Sequence, residues 1–255
     1  MKIISWNVNG IRANLRQNAL PAVLQKEKPD IVCLQETKIS LKKLLTEKIS
    51  FPGYQVFWHS ANREGYSGTA LLVSEKIKLP KIKSGIGIEE FDIEGRVQVL
   101  TLPKFYLLNV YFPNSNHELS RLEYKQKFNQ ALFKHVKRLD QDRPVIITGD
   151  FNVAHQPLDL ARPKENEGNA GYTIEERAFM SQLLDQGFVD SFRFHHPRQV
   201  QYSWWSFRSA ARKRNIGWRI DYFVLSDRMK RLIKKAYILD KITGSDHAPV
   251  GLEIV

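Results

Sequence analysis

The sequence predicts an α/β fold: two mixed β-sheets packed face to face, with helices outside. Three observations carry this. Short apolar runs that suit strands alternate with stretches of helical character, without strict βαβ regularity. At 255 residues and 42% hydrophobic, the chain can bury a large core. No Pro/Gly/Ser-rich linker or low-complexity tract divides it, so one domain over residues 1–255 is expected.

Taken in order, Lys2 to Asn7 reads as a strand and Leu15 to Lys26 as helical. Ile31 to Glu36, after Pro29-Asp30, suits a buried strand. Tyr54 to His59 and Thr69 to Ser74 are strands, and Val97–Leu102 with Tyr106–Phe112 form a hairpin around Pro103-Lys104. Ser120-Arg-Leu-Glu123 predicts a capping box, followed by Leu122, Phe128, Leu132, Phe133, Val136 and Leu139 at helical spacing. Pro144 to Thr148 is a buried strand. Thr173-Ile-Glu-Glu176 predicts a second capping box, on a helix that stops near Gly187. Arg219–Leu225 and Pro249–Val255 close the chain as strands.

Composition narrows the function. No apolar run is long enough to span a membrane, and KIISWNVNG lacks the apolar centre of a signal peptide. The single cysteine, Cys33, lies in the apolar run DIVCL and reads as core, which fits a reducing, intracellular compartment. Lys plus Arg number 39 against 27 acids, a formal charge of +12, which favours a polyanionic partner, most often nucleic acid.

Polar residues of one kind gather at strand ends. Asn7 ends the first strand and Glu36 the second. Tyr111 and Asn114 close LLNVYFPN, Asp150 and Asn152 close PVIITGDFN, and Asp221 opens RIDYFVLS. Asp246 and His247 lead into the last strand. Singly, each reads as a rim or turn residue. Together, strand ends of a layered fold can converge, and carboxylates brought together repel unless a cation sits among them. The hard oxygen ligands Glu36, Asp150, Asp246, Asn7 and Asn152 suit Mg²⁺ or Mn²⁺, and no Cys/His zinc pattern is present.

The motifs SWNVNGIRA, DIVCLQETK, YFPN, RLEYK, GDFNVAH, DLARPKEN, NAGYT, RNIGWRIDYF and GSDHAPV occur in this order. In them the chain closely resembles the exonuclease III-type apurinic/apyrimidinic (AP) endonucleases of the endonuclease/exonuclease/phosphatase superfamily, from residue 2 to the last. GDFN and SDH are shared across the superfamily; GWRIDYF with LQETK and NVAH is far more specific. The resemblance implies a four-layer α/β sandwich and a Mg²⁺-dependent hydrolase, with Mn²⁺ as substitute. By resemblance Glu36 holds the main ion, with Asn7 in support, and Asp246 binds it directly, through water, or only orients its neighbours. Asp150, Asn152 and His247 are the candidates for a second ion. Asp150 positions or deprotonates the attacking water, with Asn152 beside it. His247, held by Asp221, and Tyr111 donate to the phosphate.

The resemblance also implies the substrate. The partner would be double-stranded DNA with abasic sites or blocked 3′ ends, met by a monomeric enzyme; a compact basic chain without targeting segment suits a prokaryotic cytoplasm or nucleoid. The tract YSWWSFRSAARKRNIGWRID interleaves aromatics with Arg208, Arg212, Lys213, Arg214 and Arg219. Residues matching Trp204, Trp218 and Ile220 line an apolar pocket for the flipped-out abasic sugar, and Trp205 reads as core. Asn114, Asn166 and Asn169 match positions near the scissile phosphate and its strand, and Arg208 a side chain inserted near the lesion. Asn9 and His117 depart from relatives that carry Asp and Arg there. The N-terminal extension of some eukaryotic members is expected to be absent. Incision 5′ to the abasic site would leave a 3′-hydroxyl and a 5′-deoxyribose phosphate, accompanied by 3′-phosphodiesterase, 3′-phosphatase and 3′→5′ exonuclease activity. The rival readings are a general double-strand DNase, a superfamily phosphatase, and a non-catalytic DNA-binding protein.

Overall fold

The computed structural model describes residues 1–255. In chain order the elements are β1 (Lys2–Asn7), α1 (Ile11–Arg16), α2 (Ala19–Glu27), β2 (Ile31–Gln35), α3 (Leu41–Glu47), β3 (Tyr54–His59), β4 (Thr69–Ser74), β5 (Lys81–Ser84), α4 (Glu89–Asp92), β6 (Val97–Thr101) and β7 (Tyr106–Tyr111). Then follow α5 (Leu122–Asp142), β8 (Val145–Asp150), α6 (Ile174–Asp185), β9 (Phe188–Asp190), α7 (Ser191–His195), β10 (Asp221–Ser226), β11 (Ile233–Ile238) and β12 (Val250–Ile254). Short 3₁₀ turns join some of them. No helix is long and apolar enough to cross a membrane.

The strands form two mixed six-stranded sheets, ordered β11-β12-β1-β2-β4-β3 and β5-β6-β7-β8-β10-β9. The expected sandwich is therefore present. Between the sheets lies one apolar cluster, including Ile3, Cys33 and Leu71 from the first sheet and Leu107, Ile146 and Phe223 from the second. Outside, α5 and α6 cover the second sheet with Phe128, Leu132, Phe179 and Met180. Helices α1 and α2 cover the first with Ile11, Leu20 and Val23. Cys33 is fully buried, and burial pushes its thiol pKa up, so it is core and unreactive.

Two predicted local features differ. The helix expected over Leu15–Lys26 is two helices, broken where Asn18 takes φ 53°. Pro21 explains the break: it has no N–H and its ring would strike the carbonyl four residues back, so it must sit in a first turn. The Ser120 capping box does not form. Arg121 occupies the cap position without a side-chain bond, its N–H bonded to the Ser115 carbonyl at 3.1 Å, and Glu123 pairs forward with Lys127. The Thr173 box forms as predicted, with both reciprocal bonds. The edge strands β5, β9 and β11 and the short helices α3, α4 and α7 are too short to carry a clear periodicity in the sequence.

Register is what positions the site. Strand β8 lies between β7, parallel, and β10, antiparallel, with Asp150 level with both Tyr111 and Asp221. Gly149 makes this approach possible. Its φ is 142°, and a Cβ there would lie 1.8 Å from the Val110 carbonyl oxygen, which is backbone and cannot move aside. In the first sheet Asn7 lies level with Gln35, next to Glu36. A buried amide pair joins the sheets near this end: Gln35 donates to Asn109 Oδ1 at 2.7 Å, and Asn109 donates to the Ala70 carbonyl at 2.9 Å. We expect Gly149→Ala to lower unfolding stability by at least about 2 kcal/mol. An unchanged denaturation midpoint would show that the β7–β8 spacing is not constrained.

Candidate active site at the meeting ends of the sheets

The strand ends converge on a cavity of about 250 Å³ lined by Glu36, Asn114, Asp150, Asn152, Trp204, Trp218, Ile220, Asp246, His247 and the Ala170-Gly171 backbone. Larger clefts exist, such as one of about 520 Å³ lined by Lys2, His195 and Lys235, but none of the converging residues lines it. Asn9, Glu36, Lys38 and Asn152 all have positive φ, 45–50°. Such strain in non-glycine residues gathers where surrounding contacts over-determine the backbone, often at functional sites.

Asn7 ties the sheets together chemically. Its Nδ2 donates to Asp150 Oδ2 at 2.9 Å and to Glu36 Oε1 at 3.2 Å. Glu36 also accepts from the Tyr111 phenol at 2.5 Å and pairs with Lys38 at 2.7 Å. Burial works against its charge, but Lys38 and the Tyr111 bond hold its carboxyl below the usual range. Burial and the facing Glu36 carboxylate keep Tyr111 a neutral phenol.

Asp150 is 1% exposed and accepts from its own loop through Asn152 N at 2.8 Å. Burial raises its pKa to about 7; the Asp221 and Glu36 carboxylates push the same way and His247 opposes. His247 donates Nδ1–H to Asp221 Oδ2 at 2.9 Å, and its Nε2 lies 3.8 Å from Asp150 Oδ2. Burial disfavours the imidazolium, yet Asp221 and Asp150 overcome it and raise the pKa to about 10. Asp221 is steadied by Ser203 Oγ at 2.7 Å. Asp246 accepts from Asn9 at 2.9 Å and from Trp204 Nε1 at 3.0 Å. Burial opposes its charge, but His247 and these donors keep it ionised.

The buried group Asp150, Asp221 and His247, with ligand atoms within 4.8 Å of one another, could hold a metal ion. The carboxylates that face the cavity are Glu36, Asp150 and Asp246. Burial, with the Asp221 and Glu36 carboxylates adding to it, raises the pKa of Asp150, whose oxygens face the cavity beside those of Glu36 and Asp246. A hard divalent cation among Glu36, Asp150 and Asp246 would offset their mutual repulsion, so the donor set fits Mg²⁺ or Mn²⁺.

The structure sorts the remaining sequence candidates. Trp204, Trp218 and Ile220 line the apolar side of the cavity, and Trp205 is core, as expected. Asn114 lines it too and donates to Asn152 Oδ1 at 2.9 Å. Asn166 and Asn169 do not line it: the Asn166 amide holds the Arg162 carbonyl at 2.9 Å, and Asn169 is exposed beside it. Arg208 is exposed on a 3₁₀ turn, Arg208–Ala210, outside the cavity. His117 is exposed. Two of the five basic residues in the aromatic tract are structural. Arg212 holds the carbonyls of Ser245, Asp240 and Ile242. Arg219 is 1% exposed and pairs with Asp159 and Asp190, each at 2.8 Å, behind Trp218 and Ile220. Lys38 and Ser203 were given no role by the sequence reading, although both lie within or beside quoted motifs.

A model of the Endonuclease/Exonuclease/phosphatase family matches residues 4–247. The chain is 47% identical to an exodeoxyribonuclease of Bacillus subtilis, over all of this chain and 99% of that protein. It is 44% identical to the DNA repair nuclease APEX1 of Danio rerio, over 99% of this chain and 81% of that protein. Among solved structures, an AP endonuclease from Leishmania major superposes with a TM-score of 0.92 at 32% identity, covering 98% of this chain and 86% of that one. The 3′ phosphatase NExo from Neisseria, bound to a product DNA hairpin, gives 0.88 at 28% identity, covering all of this chain and 99% of that one.

Asp159→Ala would leave Arg219 short of a partner in the interior and Arg193 without its carboxylate. We expect a loss of about 3–5 kcal/mol in a denaturant melt. A loss below about 1 kcal/mol would mean that solvent reaches these guanidinium groups.

Proposed function

The chain belongs to the endonuclease/exonuclease/phosphatase family and is a phosphodiester hydrolase; from that premise we propose a Mg²⁺-dependent AP endonuclease acting on duplex DNA as a monomer, with residues 1–255 one catalytic domain. One observation carries the reading: a single cavity sets the His247–Asp150 pair against an apolar wall of Trp204, Trp218 and Ile220. The polar half suits a phosphate. The apolar half suits a sugar without its base. Trp204 spends its only polar hydrogen on Asp246, so it offers no bond to a base edge. A base turned into that wall would lose hydrogen bonds to water without replacement. An abasic nucleotide loses none and has no pairing to break on extrusion.

Asp150, with its pKa near neutrality, takes a proton from the attacking water. The water oxygen bonds to phosphorus and the bond from phosphorus to the 3′-oxygen breaks. The departing 3′-oxygen takes a proton from solvent, which leaves a 3′-hydroxyl and a 5′-deoxyribose phosphate. His247, cationic at neutral pH and aimed by Asp221, donates to a phosphate oxygen as charge builds there. Asn152 and Asn114 form an amide pair beside Asp150 that orients water and phosphate. Tyr111 donates to Glu36 and fixes its orientation. Glu36, Asp246 and Asp150, with Asn7 in support, would hold Mg²⁺ or Mn²⁺. When bound, the ion supplies Lewis-acid polarisation of the phosphate and stabilises the leaving oxygen. The same cavity serves 3′-phosphodiesterase, 3′-phosphatase and 3′→5′ exonuclease reactions, consistent with the similarity to a 3′ phosphatase. Arg208, Lys213 and Arg214 are exposed cations available to the DNA backbone, and the enzyme works in the compartment that holds the chromosome.

The test uses an end-labelled duplex with one tetrahydrofuran abasic analogue, beside an undamaged duplex, each with Mg²⁺ or EDTA. We expect a Mg²⁺-dependent nick 5′ to the analogue, with kcat at least about 100-fold lower for Asp150→Asn. Equal degradation of both duplexes would make the protein a general nuclease. Binding without a nick under any metal would remove the catalytic reading.

A further inference from the structure

Two sequence features, RLEYK and the Thr173–Glu176 capping box that follows NAGYT, contribute no side chain to the chemistry above, yet they meet in the interior. Lys125 of α5 and Glu176 of α6 are 1% and 0% exposed and pair at 2.7 Å. Neither lines the cavity. Around them the two helices bury Phe128, Leu132, Phe179 and Met180. A buried ion pair is a poor stabilising device in such a place, because the cost of desolvation consumes most of the Coulombic gain. What it offers is directional hydrogen bonds at fixed points.

Those points are in the walls of the site. Lys125 Nζ also donates to the Asn152 carbonyl at 2.6 Å. Asn152 is the left-handed residue whose amide touches Asp150 and Asn114. Glu176 Oε2 accepts from Gly171 N at 2.8 Å and Thr173 N at 3.2 Å, and its Oε1 accepts from Ser115 as well. Gly171 forms the wall facing Trp218: a Cβ on it would lie 3.2 Å from the indole ring and 3.4 Å from the Asn152 carbonyl oxygen.

We propose that the Lys125–Glu176 pair is a positioning strut. It locks Asn152, on the phosphate side of the cavity, to Gly171, on the sugar side, as one rigid unit. The width of the pocket, and with it the preference for a sugar lacking its base, is then set by two residues that never touch DNA. This deepens the abasic-site reading and rests on it.

The test replaces the pair by Lys125→Met/Glu176→Leu, an apolar swap that fills the space and removes the directional bonds. Lys125→Arg keeps a cationic donor, and Glu176→Gln keeps the shape with one acceptor. Each is melted in urea and assayed with Mg²⁺ on tetrahydrofuran and undamaged duplexes. The double variant is expected to stay folded, with kcat about 10- to 100-fold lower and selectivity between duplexes about 10-fold lower. Lys125→Arg is expected to restore most of both, and Glu176→Gln to fall between. If the double variant fails to fold, Glu176→Gln decides. Wild-type kcat and selectivity in a folded variant, or a loss that only tracks the unfolded fraction, overturns the proposal. If the wild-type enzyme cuts both duplexes equally, the abasic-site reading falls on its own, and kcat alone then judges the strut.

Discussion

Like charge gathered out of water is the constraint behind this architecture. Glu36, Asp150, Asp221 and Asp246 come together where two sheets end, and Asp150 and Asp221 are almost wholly enclosed. Left alone they would repel one another and take up protons. The fold answers with different neighbours for each acid. Lys38 and Tyr111 serve Glu36, the imidazolium of His247 serves Asp221, and Asn9 and Trp204 serve Asp246. Asp150 is served least, by neutral amides and an imidazolium nearly 4 Å away. That unequal service distinguishes Asp150, raised toward neutrality, from Glu36 and Asp246, whose carboxyls are held below the usual range.

A second pattern lies one layer deeper. Two walls of the cavity rest on buried ion pairs. Arg219 with Asp159 and Asp190 lies behind Trp218 and Ile220, and Lys125 with Glu176 lies behind Asn152 and Gly171. Apolar packing in the central cluster fixes the distance between layers, but it is tolerant of small sliding. Hydrogen bonds to named backbone atoms are not. The basic excess of the chain is thus only partly a DNA-binding surface, since Arg219, Arg212 and Lys125 are spent on internal geometry.

The sequence made much of this legible, unevenly. Buried strands such as Ile31–Gln35 and Val145–Asp150 announce themselves as apolar runs bounded by turn residues. Edge elements such as β5 and β11 do not: KIKS is too short to show a period, and Lys234-Lys235 breaks the alternation of IKKAYI. The Ser120 box looked as persuasive as the Thr173 box. Only the tertiary contacts of Arg121 with Glu94 and of Glu176 with Lys125 separate them. The acids and the histidine of the site stood out because they end strands. Lys38, Ser203 and Lys125 were invisible as roles, because a lysine or serine near a motif carries no spacing signal. Asn166 and Asn169 stand out by motif alone; they lie outside the cavity, on a turn they help to hold.

The first and last strands are neighbours in one sheet, and Trp6 Nε1 bonds the His247 carbonyl across 241 positions of chain. Ser245 likewise donates to the Asn7 carbonyl. During synthesis Asn7, Glu36 and Asp150 emerge long before the imidazole that completes their cavity. The cavity therefore cannot close until residues 245–254 have paired with the first strand, whatever the state of the other ten strands.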